Sequence, residues 1–250
     1  MQQRRLTRKE KRRLQNAGIN DDKSKDGLSK NHLQIKSISP LTENQQLVFD
    51  YFADNQNILL HGVAGTGKSF LSLYLSIKQI IDGKSPYEKV VVVRSVVPTR
   101  DMGFLPGSNK DKSKVYEAPY SAICTELFGR GDAYTMLSSK GHLEFISTSF
   151  VRGTTFNDSI IIADEIQNMD LGELDSVITR IGKNCKILMC GDFRQSDFRR
   201  DSERNGIIKF MSIIKQMKSF QFVDFNSNDI VRSQLVREYI ITKDRMGISV

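Results

Sequence analysis

The chain has 250 residues, of which 39% are hydrophobic and 8% aromatic, so it is long enough for one α/β domain with a buried core. It carries a net charge of +8, has no apolar run near the roughly 20 residues that span a bilayer, and lacks a signal-peptide pattern, so we expect a cytoplasmic protein without a membrane span. Three cysteines and three scattered histidines show neither disulfide nor zinc-ligand spacing, which argues against both kinds of site.

Residues 1–40 are predicted to form a flexible basic arm. Between Met1 and Arg13, seven basic residues stand against one acid, Glu10, and the stretch from 20 to 30 is too polar to bury much surface. The arm carries most of the net charge. A basic run of this kind is either simply solvated or contacts a polyanion such as nucleic acid. Residues 41–250 are predicted to form one domain.

From residue 41 onward, short apolar runs alternate with helical patterns, which is typical of an α/β fold with a mostly parallel sheet covered by helices on both faces. The predicted strands are 57–61, 89–94, 143–147, 159–164, 186–190 and 220–225. The predicted helices are 43–53, 68–82, 172–181, 206–217 and 229–242. Residues 95–120 hold three of the five prolines and are predicted to be a long surface excursion before a helix near 119–129.

The sequence GVAGTGKS at 62–69 matches GxxxxGK[ST] between a predicted strand and a predicted helix. This is a P-loop, in which glycines let backbone N–H groups approach phosphates and the helix N-terminus adds a favourable dipole. Lys68 is expected to reach the β and γ phosphates of ATP, and Ser69 to bind Mg²⁺. The residues assigned to nucleotide binding are Gly62, Val63, Ala64, Gly65, Thr66, Gly67, Lys68, Ser69 and Phe70. A glycine-rich turn without a ligand is the alternative.

Two acids, Asp164 and Glu165, close the predicted strand 159–164. Because the carboxyl edge of a parallel sheet opens on the ligand crevice, Asp164 is predicted to hold Mg²⁺ and Glu165 to polarise the attacking water. Acids in the first turn of a helix are also common for dipole reasons alone. A third strand ends in GDFRQ, where Asp192 is expected to bind nucleotide and Gln195 to sense the γ-phosphate, although Gly-Asp is also an ordinary turn signal.

Together the motifs resemble the PhoH family of ATPases. In chain order they are the P-loop, Arg94 with GFLPG at 103–107, Arg152-Gly153 leading to DE-x-QN at 164–168, Thr179-Arg180, and GDxxQ at 191–195. The resemblance spans about residues 41–242. It implies a RecA-like P-loop NTPase core related to superfamily 1 helicases, ATP hydrolysis with Mg²⁺, a homo-oligomeric ring that is commonly hexameric, and helicase-like remodelling of RNA or single-stranded DNA.

Two further site residues come from the resemblance. Gln45 in TENQ matches the glutamine that reads adenine in this family; the alternative is a solvated glutamine, like its neighbour Gln46. Arg232 matches a late arginine that reaches the nucleotide in its own or a neighbouring subunit, and a catalytic role follows because such a finger stabilises transferring phosphoryl charge. A surface ion pair is the alternative for Arg232. The same logic extends to Arg94, Arg152 and Arg180.

The remaining expectations concern the partner and the reaction. Phe150, Phe193 and Phe198 are candidates either for base stacking or for the core. The nuclease-like and KH-like domains of longer family members are not recognisable here, which weakens any claim of RNA cleavage. Three functions stay open: an ATPase acting on RNA or single-stranded DNA, a small-molecule kinase, and an oligomeric scaffold that ATP stabilises without turnover. Glu165 directly after Asp164 favours water as the phosphoryl acceptor, and therefore the ATPase.

Overall fold

A six-stranded sheet lies at the centre of the chain in the computed structural model, which describes residues 33–96, 109–192 and 201–246, with backbone alone at 109–113 and 201–205. The strands are β1 (Asn57–Gly62), β2 (Lys89–Arg94), β3 (Leu143–Ser147), β4 (Ser159–Asp164), β5 (Cys185–Gly191) and β6 (Phe220–Phe225). All pairs are parallel, in the order β3-β2-β4-β5-β1-β6. The six predicted strands are confirmed, and β5 separates β1 from β4 as in a RecA-like core.

The described residues also contain seven α-helices. They are α1 (Glu43–Ala53), α2 (Lys68–Ile81), α3 (Asn109–Phe128), α4 (Ala133–Ser139), α5 (Leu171–Thr179), α6 (Asp201–Ile214) and α7 (Gln234–Arg245). Short 3-10 turns occur at Thr148–Phe150, Ile166–Asn168 and Ser227–Asp229. Among these helices, none combines the length and the apolar character that crossing a membrane requires.

Helices cover both faces of the sheet. On one face, Leu59, Val93 and Ile161 belong to a buried cluster with side chains of α5 and α6. Because strand side chains alternate between faces, the intervening residues, such as Ile58 and Val92, are directed to the other face, where α1 and α2 contact the strands. Each buried side chain of this size stabilises the fold by about 1.5–3 kcal/mol. The predicted α/β architecture with a doubly covered sheet is confirmed.

The predicted excursion at 95–120 is wrong in its second half. Helix α3 begins at Asn109 and continues through Pro119, where a proline normally marks a helix boundary because it lacks an N–H group. The helix continues because Tyr120, Cys124 and Leu127 lie one turn apart and are all buried, so packing outweighs the lost hydrogen bond. The short helix α4 was not predicted either.

Two other helix starts differ from the prediction. Helix α7 begins at Gln234 instead of 229, because Asn226 and Asp229 form a reciprocal capping box that closes the 3-10 turn before it. Helix α6 begins at Asp201 instead of 206. In both cases the interior of the helix was predicted and its N-terminal boundary was not; before α7, the boundary depends on local side-chain hydrogen bonds.

The segment before α1 is bonded to the domain. The Lys36 amide donates to the Leu127 carbonyl at 2.9 Å, and the Ile38 amide donates to the Tyr74 hydroxyl oxygen at 3.0 Å. Residues 36 and 38 are therefore bonded to α3 and α2. Residues 1–32 of the predicted basic arm lie outside the described residues.

Candidate nucleotide-binding site

The turn at 62–69 joins the carboxyl end of β1 to α2. Three of its glycines take φ values of 124°, 78° and 86°, which side chains disfavour: Gly62, Gly65 and Gly67. Gly67 is the N-cap of α2, and no side chain caps this helix, whereas side chains cap both α1 and α5. The first turn of α2 lines a cleft, so its uncapped end suits an anionic ligand.

Lys68 is folded over this turn. Its Nζ donates to the carbonyl oxygens of Gly62 and Val63, at 2.8 Å each. Burial lowers the pKa of Lys68, and the negative charges of nearby groups, Asp192 first among the carboxylates, offset only part of that effect. The ammonium group therefore lies beside the turn and near the carboxylates, where a phosphate oxygen can replace a carbonyl as its acceptor.

Asp164, the last residue of β4, is bonded through both of its carboxylate oxygens. The Ser69 hydroxyl donates to Oδ1 at 2.7 Å, and the Tyr120 hydroxyl donates to Oδ2 at 2.8 Å. Burial, followed by the charge of Asp164, raises the pKa of Tyr120 well above its ordinary value, so the phenol keeps its proton and acts as the donor. The structure thus brings together the two residues predicted to hold Mg²⁺.

Glu165 follows directly, in a left-handed conformation with φ of 52°. Burial, and next the charge of Asp164, raise the pKa of the Glu165 carboxyl. Gln167 links two predicted site residues: its Nε2 donates to Glu165 Oε2, and its Oε1 accepts from the Asp192 backbone N–H at 3.1 Å. The acidic turn after β4 and the turn after β5 are therefore held together by one buried amide side chain.

Arg94, at the end of β2, is a cation on the same edge of the sheet. Burial lowers its pKa, but Tyr120 and the carboxylates of Glu165 and Asp164 have the larger combined effect and raise it. Arg94 is therefore a partner of the acids in its own chain.

Residues 64–69 of the P-loop, together with Asp164, Glu165, Gln167 and Asp192, line one cleft of about 620 Å³, within the range of small-molecule sites. The P-loop and the acids form its floor. Residues of three other segments complete its walls: Ile38, Ser39 and Leu41 before α1; Pro119, Ala122, Ile123 and Glu126 on α3; and Val231 and Arg232 before α7. The cleft therefore draws on segments from nearly the whole described length of the chain.

The cleft fits a triphosphate with a divalent cation. A hydroxyl and a carboxylate, Ser69 and Asp164, are oxygen ligands of the kind that Mg²⁺ prefers, and they lie beside the uncapped N-terminus of α2 and Lys68. The cleft therefore combines the ammonium group of Lys68 and backbone donors for phosphate with oxygen ligands for a metal ion. These groups come from the motifs that the sequence predicts.

The family model described as PhoH-like protein matches residues 37–243. The chain belongs to the PhoH family. Curated relatives include PhoH-like proteins of Mycobacterium leprae, 28% identical over 82% of this chain, and of Bacillus subtilis, 27% identical over 85%, and Protein PhoH of Escherichia coli, 27% identical over 83%. The chain spans less than two thirds of these relatives, with 58%, 66% and 55% of their lengths covered.

Solved structures similar to this PhoH-family chain include two proteins of low sequence identity. The large terminase of a thermophilic bacteriophage is 11% identical, with a TM-score of 0.47 over 80% of this chain and 50% of that chain. The Pif1 helicase of Candida albicans is 17% identical, with a TM-score of 0.40 over 84% of this chain and 44% of that chain.

Gln45, which the PhoH resemblance assigns to adenine, is 3% exposed and lines the cleft. Its Oε1 accepts from the Leu41 amide at 2.8 Å, and its Nε2 donates to the Thr66 carbonyl in the P-loop at 3.0 Å. Gln46, by contrast, is exposed and bonds Asp50 on its own helix. Of the two neighbouring glutamines, Gln45 is the one that contacts the site, and it supports the P-loop directly.

Arg232 also lies against the P-loop of its own chain. Its Cγ would be 3.0 Å from a Cβ placed on Gly65, and the preceding Val231 amide donates to the Gly65 carbonyl at 3.0 Å. Arg232 therefore lines the cleft of this chain.

The other two arginines of the motifs lie elsewhere. Arg152 is beside a smaller cleft of about 190 Å³ with Glu173, and Arg180 is the C-cap residue of α5. Neither lines the larger cleft, so the structure does not bring these two arginines to the P-loop of their own chain.

Some predicted residues of this PhoH-family site fall outside the described residues: Gln195, the GFLPG segment at 103–107, Phe193 and Phe198. Phe70 lines the cleft together with the rest of the first turn of α2. Phe150 is 60% exposed, which rules out a core role for this side chain.

Sequence reasoning missed Tyr120 as a site residue and gave Gln167 no role beyond its motif. The spacing of Tyr120, Cys124 and Leu127 could have predicted a buried helical face. Nothing local to α3 indicates that the Tyr120 hydroxyl meets Asp164, because the two residues are far apart in sequence. The carboxamide of Gln167 could likewise have been predicted to turn inward, but not to join Glu165 to Asp192.

Proposed function

We propose that this chain is a Mg²⁺-dependent ATPase. The observation that carries the proposal is the Ser69–Asp164 hydrogen bond of 2.7 Å, which joins the end of the P-loop to the end of β4 inside a cleft of sufficient volume for a nucleotide. Membership of the PhoH family supports it. Ser69 and Asp164 would hold the metal ion, which when bound neutralises charge on the phosphates.

The chain's own groups have distinct roles in this proposal. The α2 N-terminus and Lys68 bind the phosphates, with Lys68 exchanging its carbonyl acceptors for phosphate oxygens. Glu165 orients and polarises the water that attacks the γ-phosphorus, while the bond to ADP breaks. Gln167 holds one oxygen of Glu165, which leaves the other carboxylate oxygen to face water. Arg232 is proposed to contact the nucleotide, and Gln195 the γ-phosphate.

The first experiment measures phosphate release from ATP by the wild-type chain and by Lys68→Ala. We expect turnover in wild type and a loss of at least about 100-fold in the variant, as removal of one charge-stabilising donor typically costs 10²–10³-fold. Phosphate transfer to an added metabolite without free phosphate would favour the kinase. Nucleotide-dependent assembly without any turnover would favour the scaffold. Both outcomes would overturn the ATPase.

We further propose that RNA or single-stranded DNA stimulates the ATPase. The support is the sequence itself, because the net charge of +8 is concentrated in the first 13 residues, and such a segment favours polyanions. Affinity for a single strand should fall steeply with salt, and removal of residues 1–13 should flatten that dependence. An unchanged salt dependence would contradict a role for the arm, and ATP turnover unaffected by either polynucleotide would contradict the stimulation.

We also propose that the chain forms a homo-oligomeric ring, with a hexamer as the first assembly to test. Helix α7 has no buried residue and exposes Leu235 at 76% and Tyr239 at 67%, with Met246 at 66% just after it. An apolar helix face beside the cleft supports a protein–protein contact there. Sedimentation with and without ATP measures the assembly; a monomer under both conditions would refute it.

A further inference from the structure

Tyr120 is a buried tyrosine of α3 that belongs to none of the sequence motifs. It is 2% exposed, and its ring packs against Phe145 of β3 with centroids 5.9 Å apart. The neighbouring residues Pro119 and Ala122 line the cleft. The ring thus packs α3 against the sheet. The hydroxyl lies at the edge where β2 and β4 end and contacts Asp164 there.

That hydroxyl belongs to a chain of hydrogen bonds. The Tyr120 hydroxyl donates to Asp164 Oδ2 at 2.8 Å, and Ser69 donates to Asp164 Oδ1 at 2.7 Å. Each carboxylate oxygen therefore has a defined partner. The oxygen that faces Ser69 is the one available to a metal ion shared with that hydroxyl, and the opposite oxygen is held by Tyr120.

The requirements of the cation explain why this arrangement matters. Mg²⁺ demands near-ideal octahedral geometry at about 2.0–2.1 Å, so a ligand that rotates by a few tenths of an ångström binds it less well. Removing a group that hydrogen-bonds a metal ligand typically lowers metal affinity by about 10- to 100-fold. A hydrogen bond from a buried tyrosine to a carboxylate is a restraint of this kind.

We propose that Tyr120 is a positioning residue for the metal site: its hydroxyl fixes the Asp164 carboxylate so that Oδ1 is presented beside Ser69. The inference rests on the proposed function, because it concerns the metal ion of that site. Its effect is specific to the metal-bound nucleotide. The binding of ATP without metal depends on the P-loop and not on this hydroxyl.

The chain offers a closely matched control. Tyr134, at the start of α4, also donates its hydroxyl to a carboxylate on α3, Glu117, at 2.8 Å. Neither Tyr134 nor Glu117 lines the cleft. Tyr120→Phe and Tyr134→Phe therefore remove the same atom and the same type of hydrogen bond, and both bonds involve α3, but only the first touches Asp164.

The experiment measures ATP binding to the full chain by calorimetry, once in Mg²⁺ and once in EDTA, together with the Mg²⁺ concentration that gives half-maximal ATP binding. For Tyr120→Phe we expect that concentration to rise about 10-fold or more, with the affinity in EDTA within about twofold of wild type. Tyr134→Phe should match wild type in both conditions. Thermal unfolding of both variants checks that each remains folded.

Three results would overturn the inference. An unchanged Mg²⁺ requirement in Tyr120→Phe would show that the hydroxyl does not position Asp164. An equal loss of ATP affinity with and without Mg²⁺, or an equal change in Tyr134→Phe, would show a general packing effect. Absence of ATP binding by wild type in both conditions would refute the proposed function itself, which distinguishes that failure from a failure of the Tyr120 inference alone.

Discussion

The hydroxyl of Ser69 and the carboxylate of Asp164 are 2.7 Å apart, although the two residues are 95 positions apart in the chain. Ser69 lies in the first turn of α2, and Asp164 is the last residue of β4. If both hold Mg²⁺, Ser69→Ala should raise the Mg²⁺ concentration for half-maximal ATPase activity by about tenfold or more. Ser76→Ala is the control, because Ser76 is on the same helix and its buried Oγ has no hydrogen-bond partner among the described residues. Metal titrations of both variants are the measurement, and equal behaviour would contradict the assignment.

Glu165→Gln should separate binding from hydrolysis. The amide keeps the size of the side chain but cannot act as a base, and loss of a general base typically costs about 10²–10⁴-fold in rate. We expect ATP binding to stay within a few-fold of wild type while phosphate release falls by at least about 100-fold. Glu144→Gln, which alters an exposed pair with Lys89, should leave both unchanged. Retention of wild-type turnover by the Glu165 variant would assign the water to another residue.

The adjacent glutamines provide a second matched pair. Gln45→Ala removes two hydrogen bonds that connect Leu41 and Thr66, so it should lower the free energy of unfolding by about 1–3 kcal/mol and weaken ATP binding. Gln46→Ala, whose partner is an exposed Asp50, should change neither. Comparing ATP with GTP then tests base reading: if Gln45 reads adenine, the alanine variant loses discrimination as well as affinity.

Gly62 is predicted to be irreplaceable for a reason other than phosphate binding. A Cβ at this position would lie 1.9 Å from the Phe225 carbonyl oxygen, because β6 runs alongside the end of β1. Gly62→Ala should therefore lower the free energy of unfolding by about 3 kcal/mol or more, whereas Gly131→Ala, which meets nothing within 4 Å, should stay within about 0.5 kcal/mol of wild type. Denaturant unfolding without nucleotide measures both, and a stable Gly62 variant would contradict the close approach.

Lys186 should make stability depend on pH in the alkaline range. It is 1% exposed, its Nζ donates to the Phe52 carbonyl at 2.8 Å, and it lies 3.7 Å from the Phe52 ring centroid. Burial lowers its pKa to about 8, below the ordinary lysine value of about 10.4. Between those pH values the unfolded chain binds a proton that the folded chain has released, so this group adds stability as the pH rises.

The comparison for this effect is Lys186→Met. The stability of the variant relative to wild type should be greatest at pH 7 and should decline by about 1–3 kcal/mol as the pH rises to 10. Lys89→Met, at an exposed lysine, should show no such decline. A stability difference that does not vary with pH would mean that Lys186 titrates normally.

Much of the fold could be predicted because its signals are local. Runs such as Val90–Val93 and Ile160–Ile162 identify buried strands by themselves, and the glycines at 62, 65 and 67 identify the turn that follows β1. Since all strands are parallel, their carboxyl ends meet at one edge. That rule, together with the P-loop motif, was enough to predict that Asp164 and Ser69 lie close together.

What could not be predicted depends on contacts between distant segments. The Tyr120 hydroxyl finds Asp164 only once α3 is docked on the sheet, and Gln45 finds Thr66 only once α1 is beside the P-loop. The helix through Pro119 is a related case, because tertiary burial outweighs a local breaker. The start of α7 at 234 was missed because the capping box of Asn226 and Asp229 decides it, and the apolar pattern does not.

The strand that leads into the P-loop pairs only with strands made much later. Strand β1 lies between β5 and β6, and the loop carbonyl at Gly65 is held by the amide of Val231. A growing chain on the ribosome therefore lacks the first neighbour of β1 until residue 191 is made and the second until residue 225 is made. The turn at 62–69 therefore reaches its final contacts after Val231 has been synthesised, so this part of the cleft depends on the last segment of the domain.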